Sequence, residues 1–182
     1  MPKTQKKIQI ASLEKFNQGW TGTLVIFLLM AAVYTLTMAR DQVGFLDSDL
    51  FLYMGNKLGI LPSPGYPLYV SLLYVFSLIP IDINQAMKGH LLSVLLEAGA
   101  VSLVFRLLWD IYPLVRKSSK KTFVLFNNVF ERWLLAGSSA LALGFSGLFW
   151  RFGLFTERYA LIQFLFCLLL LLMARYVLLS EV

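Results

Sequence analysis

The sequence predicts an all-α membrane protein with about four transmembrane helices, plus two interfacial or re-entrant helices in the loop between the first two. Three observations carry this. Of 182 residues, 58% are hydrophobic and 14% charged, and the mean hydropathy is +0.71, far from the balance of a soluble domain. Four apolar runs, near 21–39, 89–109, 132–150 and 159–179, each approach the roughly 20 residues that a helix needs to cross about 30 Å of hydrocarbon. Lipid offers no hydrogen-bond partner to an open strand edge, so each run must be helical.

The elements follow in chain order. Residues 1–20 carry Lys3, Lys6, Lys7 and Lys15 and lack a small-residue cleavage site, so they read as a cytoplasmic leader and 21–39 as a retained anchor. The stretch 66–80, flanked by prolines, is short for a span. If it crossed, the loop with Arg116, Lys117, Lys120 and Lys121 would fall opposite the lysine-rich N-terminus, against the positive-inside bias. Without that crossing both basic regions are cytoplasmic. The expected layout is then an outer loop at 40–88, a basic cytoplasmic loop at 110–131, a short outer loop at 151–158, and both termini inside. The net charge of +6 follows from those flanking cations and their affinity for anionic headgroups. No nucleic-acid-binding motif accompanies them, so no nucleic-acid partner is expected.

The outer loop holds the chemistry. Leu50, Met54 and Leu58 recur at helical spacing and predict an amphipathic helix over 47–59, lying at the headgroup boundary. Asp47, Ser48 and Asp49 at its start are all good N-cap residues, and the same acids could instead serve as a general base and its neighbour. A proline-glycine corner follows. Pro62, Pro64 and Pro67 forbid helix and Gly65 permits unusual backbone angles, so 61–67 is a shaped turn that brings Tyr66 and Tyr69 near the lipid–water boundary. Glu97 lies inside the second span among Ala98, Gly99 and Ala100, where it has no identifiable partner and close helix packing is the favoured role. Arg106 and Asp110 form a local pair at i, i+4. His90 lacks companions at metal-ligand spacing, so no metal site is expected, and the lone Cys167 can form no internal disulfide.

Taken in order, the elements Asp47-Ser48, Pro64-Gly65-Tyr66-Pro67-Leu68-Tyr69, His90-Leu91-Leu92-Ser93, Ser146-Gly147-Leu148-Phe149-Trp150 and Glu157-Arg158-Tyr159-Ala160-Leu161 resemble a known family. It comprises bacterial multi-pass proteins of unknown function related to the transmembrane O-mannosyltransferases, within the family-C (GT-C) membrane glycosyltransferases. The resemblance runs from about residue 20 to the C-terminus. Relatives usually follow Asp-Ser with Gly-Glu where this chain has Asp49-Leu50, and carry His at the position of Pro62 and Asn at that of His90.

The resemblance implies a GT-C-like N-terminal part of a longer enzyme, embedded in the bacterial plasma membrane with its site on the outer face. It implies transfer of a sugar from a polyprenyl-phosphate donor to an acceptor hydroxyl, with no other cofactor assigned and the need for a divalent cation open. Asp47, in the first outer loop, matches the acidic residue that such enzymes place there. Glu157, at the outer end of a span, is the second candidate catalytic residue. Lys57, Arg151 and Arg158 are the outer cations suited to the phosphate, Asp49, Tyr66 and His90 are further substrate-binding candidates, and Pro64, Gly65 and Pro67 shape the turn. The alternative is a non-catalytic multi-pass protein that binds lipid or forms part of a transporter or scaffold.

Overall fold

The chain is organised around its most buried helix. A computed structural model describes residues 3–40, 47–118 and 128–180, with side chains over 18–40, 47–114 and 129–178. Asp41, Lys120 and Lys121 lie outside the described residues, as do the side chains of Lys3, Lys6, Lys7, Lys15, Arg116 and Lys117. The described residues form seven helices in order: α1 (Lys3–Thr37), α2 (Ser48–Lys57), α3 (Pro67–Ser77), α4 (Gln85–Ser118), α5 (Asn128–Gly144), α6 (Gly147–Leu154) and α7 (Arg158–Ser180). The apolar stretch of α4 is 61% buried, against 33% in α1 and 17% in α7, and α4 packs on all six other helices. Met30 and Tyr34 of α1, Val94, Ala98, Val101, Phe105 and Trp109 of α4, and Ala136 and Ala140 of α5 form the bundle core.

Among the described residues, three helical stretches are long and apolar enough to cross a membrane: Gln18–Thr37, Gln85–Leu114 and Arg158–Leu178. The run expected as one span at 132–150 is instead broken. α5 and α6 meet at 62°, and only if the bent pair counts as one crossing is there a fourth. At the break Tyr34 Oη of α1 donates to the Gly144 carbonyl at 2.6 Å, and Ser146 is extended (φ −65°, ψ 145°). The tyrosine thereby takes an acceptor at the end of α5.

α4 runs through Pro113, four residues beyond the expected end of its span. Proline has no N–H for the carbonyl of Trp109, one turn back. Arg132 of α5 supplies the missing donors, Nε at 2.7 Å and also Nη2. The expected Arg106–Asp110 pair is present at 3.2 Å, and Arg175 of α7 joins it at 3.0 Å. Along α7, helical rise puts about 26 Å between Arg158 and Arg175. The two polar levels are thus separated by about one hydrocarbon thickness.

Beyond the Arg158 level, α2 and α3 form a small lobe against the first turns of α4. Tyr69 Oη lies 3.4 Å from Ser93 Oγ, and Lys88 Nζ donates to the carbonyls of Ser77 (3.1 Å) and Ile79 (2.9 Å). α3 therefore runs antiparallel to α4, away from the middle of the bundle. Lys88 is buried as the cap of α3, with a cation suited to that end of the helix dipole. Asn84 starts α4, its Oδ1 accepting the Met87 N–H at 2.7 Å in N-cap geometry.

The apolar face expected at the headgroup boundary is not the face that α2 packs on the protein. Leu50 and Leu58 are exposed, and Ser48, Phe51, Leu52 and Gly55 are buried. Close approaches decide the rotation of so short a helix. An added Cβ at Gly55 would meet Leu73 at 2.7 Å, and Leu52 reaches Gly89 on α4.

Candidate active site

The proline-glycine corner is a tight turn whose backbone demands its residues. The Gly65 N–H bonds to the Pro62 carbonyl at 2.9 Å, and Gly65 has φ +83°, which a side chain would resist. Pro67 is the first residue of α3, where its missing N–H costs nothing. Tyr66 between them is left-handed (φ 45°), a strained setting for a bulky residue. Its ring sits edge-on to Phe51 of α2, 5.8 Å between centroids.

This turn forms one wall of a cleft of about 250 Å³ lined by Asp47, Leu50, Phe51, Leu61, Pro62, Ser63, Tyr66 and Arg158. Asp47 stands at the N-cap position of α2, as local reasoning expected, but does not cap with its carboxylate. Its side chain makes no cap bond, and its Oδ2 accepts from Arg158 Nη1 at 2.8 Å. A guanidinium facing the cleft competes better for the carboxylate than a backbone N–H does. Arg158 Nη2 donates to Tyr159 Oη at 3.1 Å, and the guanidinium lies 4.8 Å from the Tyr66 ring and 4.7 Å from that of Tyr159. Cation–π attraction and the hydrogen bonds together fix its fork toward the cleft.

Behind Asp47 is a buried polar layer. Glu157 is fully buried, and its Oε1 accepts from the Asp47 N–H at 3.2 Å and the Ser48 hydroxyl at 3.4 Å. Its Oε2 has no hydrogen-bond partner. The Glu157 N–H in turn reaches Ser93 Oγ at 3.4 Å. Glu157 thus faces the start of α2 from inside and positions Asp47 without lining the cleft. Burial pushes its carboxyl up from 4.5 to about 7, against the opposing pull of the Asp47 N–H and Arg158.

A folded state that holds this proton more tightly than the unfolded chain is favoured at low pH and loses that advantage as pH rises from about 4.5 to about 7. Thermal unfolding in detergent is expected to show this decline in the wild type and a flatter profile in Glu157→Gln. Equal slopes would separate Glu157 from the titration.

The remaining sequence candidates fall elsewhere. His90 is fully buried, its Nδ1 2.8 Å from Thr156 Oγ1, and so braces the 155–157 segment without meeting the cleft. Lys57 turns back along α2, donating to Tyr53 Oη at 2.9 Å. Asp49 is exposed in the first turn of α2 and Arg151 is exposed on α6, and neither lines the cleft. Glu97 does have a partner. With its amide turned to donate, Gln163 of α7 reaches both carboxylate oxygens, one at 2.8 Å, so the pair ties two spans together.

Sequence reasoning missed Phe51, Leu61 and Ser63 as cleft walls, and Tyr159 and Ser93 as supports. Tyr159 and Ser93 did stand inside the ordered motifs, which was the available signal. Four of the five motifs converge here: Asp47-Ser48 on Glu157-Arg158, Tyr66 on Arg158, and Tyr69 and Glu157 on Ser93.

Residues 47–179 match the family described as Protein O-mannosyl-transferase TMEM260 N-terminal domain. A mouse relative, Protein O-mannosyl-transferase TMEM260, is 36% identical over 85 residues, which cover 46% of this chain and 12% of that protein. The chain therefore spans only a small part of the relative's length. No solved structure matches. The family match starts at the carboxylate that faces Arg158 and takes in every wall of the cleft, and the chain belongs to the family of the O-mannosyl-transferase TMEM260 N-terminal domain.

Proposed function

We propose that this chain supplies the donor end of a membrane glycosyltransferase of the GT-C kind, which moves a sugar from a polyprenyl phosphate to an acceptor hydroxyl. One observation carries the reading. Asp47 and Arg158, brought together from separate motifs, share a cleft large enough for a sugar-sized group and walled by Phe51 and Tyr66. In the reaction, the acceptor oxygen attacks the anomeric carbon as the bond from that carbon to the phosphate oxygen breaks. The acceptor proton passes to Asp47, and the phosphate leaves with the bonding electrons, held by Arg158. Glu157 fixes the start of α2 from behind, a positioning role.

The cleft lies at one end of the bundle, beside the lobe of α2 and α3, where a lipid-linked headgroup would reach it from the bilayer. The bias of Lys and Arg toward the opposite end supports an outer-face site and a cytoplasmic N-terminus. Within the family, the mouse relative is an O-mannosyl-transferase by name, which favours a hexose as the sugar.

The test is transfer of radiolabelled sugar from polyprenyl phosphate by membranes carrying an active transferase that contains this domain. Arg158→Gln is expected to lower kcat/KM by about 10- to 100-fold, the scale of a lost charge-assisted contact. Unchanged transfer would remove Arg158 from the phosphate site.

A further inference from the structure

The carboxylate and the guanidinium of the cleft neutralise each other. Arg158 Nη1 occupies the Asp47 carboxylate at 2.8 Å, so an acceptor hydroxyl must compete with a cation for it. The two partners are not held alike. Arg158 has supports independent of Asp47: the Tyr159 hydroxyl at 3.1 Å, and the rings of Tyr66, Tyr159 and Phe51 at 4.8, 4.7 and 5.6 Å. The Asp47 side chain is 53% exposed, and Glu157 holds its backbone N–H, leaving the carboxylate free to turn. In this pair the arginine is the fixed member and the aspartate the movable one.

We infer that the Asp47–Arg158 pair is a latch opened by the phosphate of an incoming prenyl phosphate, so the phosphate-bearing ligand binds before the acceptor hydroxyl. This rests on the reading of Arg158 as the phosphate-binding residue. A phosphate presents more charged oxygens to the guanidinium fork than one carboxylate oxygen does, and it enters from the open side of the cleft. Once displaced, Asp47 leaves its cation and stands beside the reacting centre with its carboxylate open to the acceptor hydroxyl and Glu157 still holding its backbone. An acceptor arriving first meets a carboxylate already engaged.

The latch makes a prediction of unexpected sign. Removing the competing carboxylate should strengthen phosphate binding, whereas an aspartate that merely ordered Arg158 would weaken binding when lost. The experiment measures binding of a short-chain prenyl monophosphate, with the uncharged prenyl alcohol as control, to the 182-residue chain in neutral-detergent micelles. The wild type is expected to prefer the phosphate over the alcohol. Asp47→Asn and Asp47→Ala are expected to bind the phosphate about two- to fivefold tighter, the range of a half-exposed ion pair, and Arg158→Gln to lose the preference. Equal or weaker phosphate binding by both Asp47 variants, at unchanged helical content, overturns the latch. A wild type with no preference for phosphate overturns instead the assignment of Arg158, a distinct result.

Discussion

Asp47→Asn in an active transferase that contains this domain is expected to lower kcat for sugar transfer by about 10²- to 10⁴-fold, the contribution of a positioned general base. The substitution keeps the size of the side chain and the backbone N–H that Glu157 Oε1 accepts, so the start of α2 stays in place. It removes the carboxylate that pairs with Arg158 and that the proposed reaction uses as proton acceptor. If the latch operates, KM for the lipid donor falls while kcat collapses, a split that a purely structural defect would not produce. The measurement is steady-state transfer at varied donor, with retention of normal kcat the outcome that removes Asp47 from catalysis.

Gly89→Val is expected to have a comparable effect on activity by a different route. A Cβ at Gly89 would lie 2.4 Å from Leu52 of α2 and 2.6 Å from the Thr156 hydroxyl, so α2, α4 and the segment carrying Glu157 meet at this one residue. The branched side chain must push α2 away from α4, at about 1–3 kcal/mol of overpacking. Asp47 rides at the start of α2, and a shift of that helix separates it from Arg158 and Glu157. The spans that carry the bundle core lie below this contact, so helical content by circular dichroism should stay near wild type while transfer falls by about 10²-fold, the scale of a misplaced reacting group. Full activity would mean that the lobe of α2 and α3 adjusts without consequence for the site.

How much of this was legible in the sequence varies by element. The first and last spans were, because long apolar runs need no tertiary information. The third was not: at its break the Tyr34 hydroxyl reaches the Gly144 carbonyl from another helix, although Gly144 and Gly147 flanking Ser146 were a sign. The face that α2 packs on the protein was not legible, because its close approaches, Gly55 on Leu73 and Leu52 on Gly89, come from other helices. Capping was the natural reading of Asp47 until a cation from the far end of the chain claimed its carboxylate. The corner at 61–67 was legible, since Gly65 and Pro67 each meet a backbone requirement that few residues satisfy. Glu157 was legible as important but not as buried, and its role behind Asp47 depends on a contact no local pattern encodes. For His90, the sequence showed a polar residue at a helix end, and only packing shows that it faces Thr156.

The central claim is that the cleft bounded by Asp47, Tyr66 and Arg158 receives the phosphate end of a lipid-linked sugar. A photoreactive phenylalanine at position 66, with a second variant carrying it at position 57 on the exposed side of α2, tests this directly in membranes supplied with labelled polyprenyl-phosphate sugar. Covalent capture of the donor at 66, little at 57, and competition by unlabelled donor are the predicted results. Capture that is equal at the two positions, or confined to 57, would contradict the account.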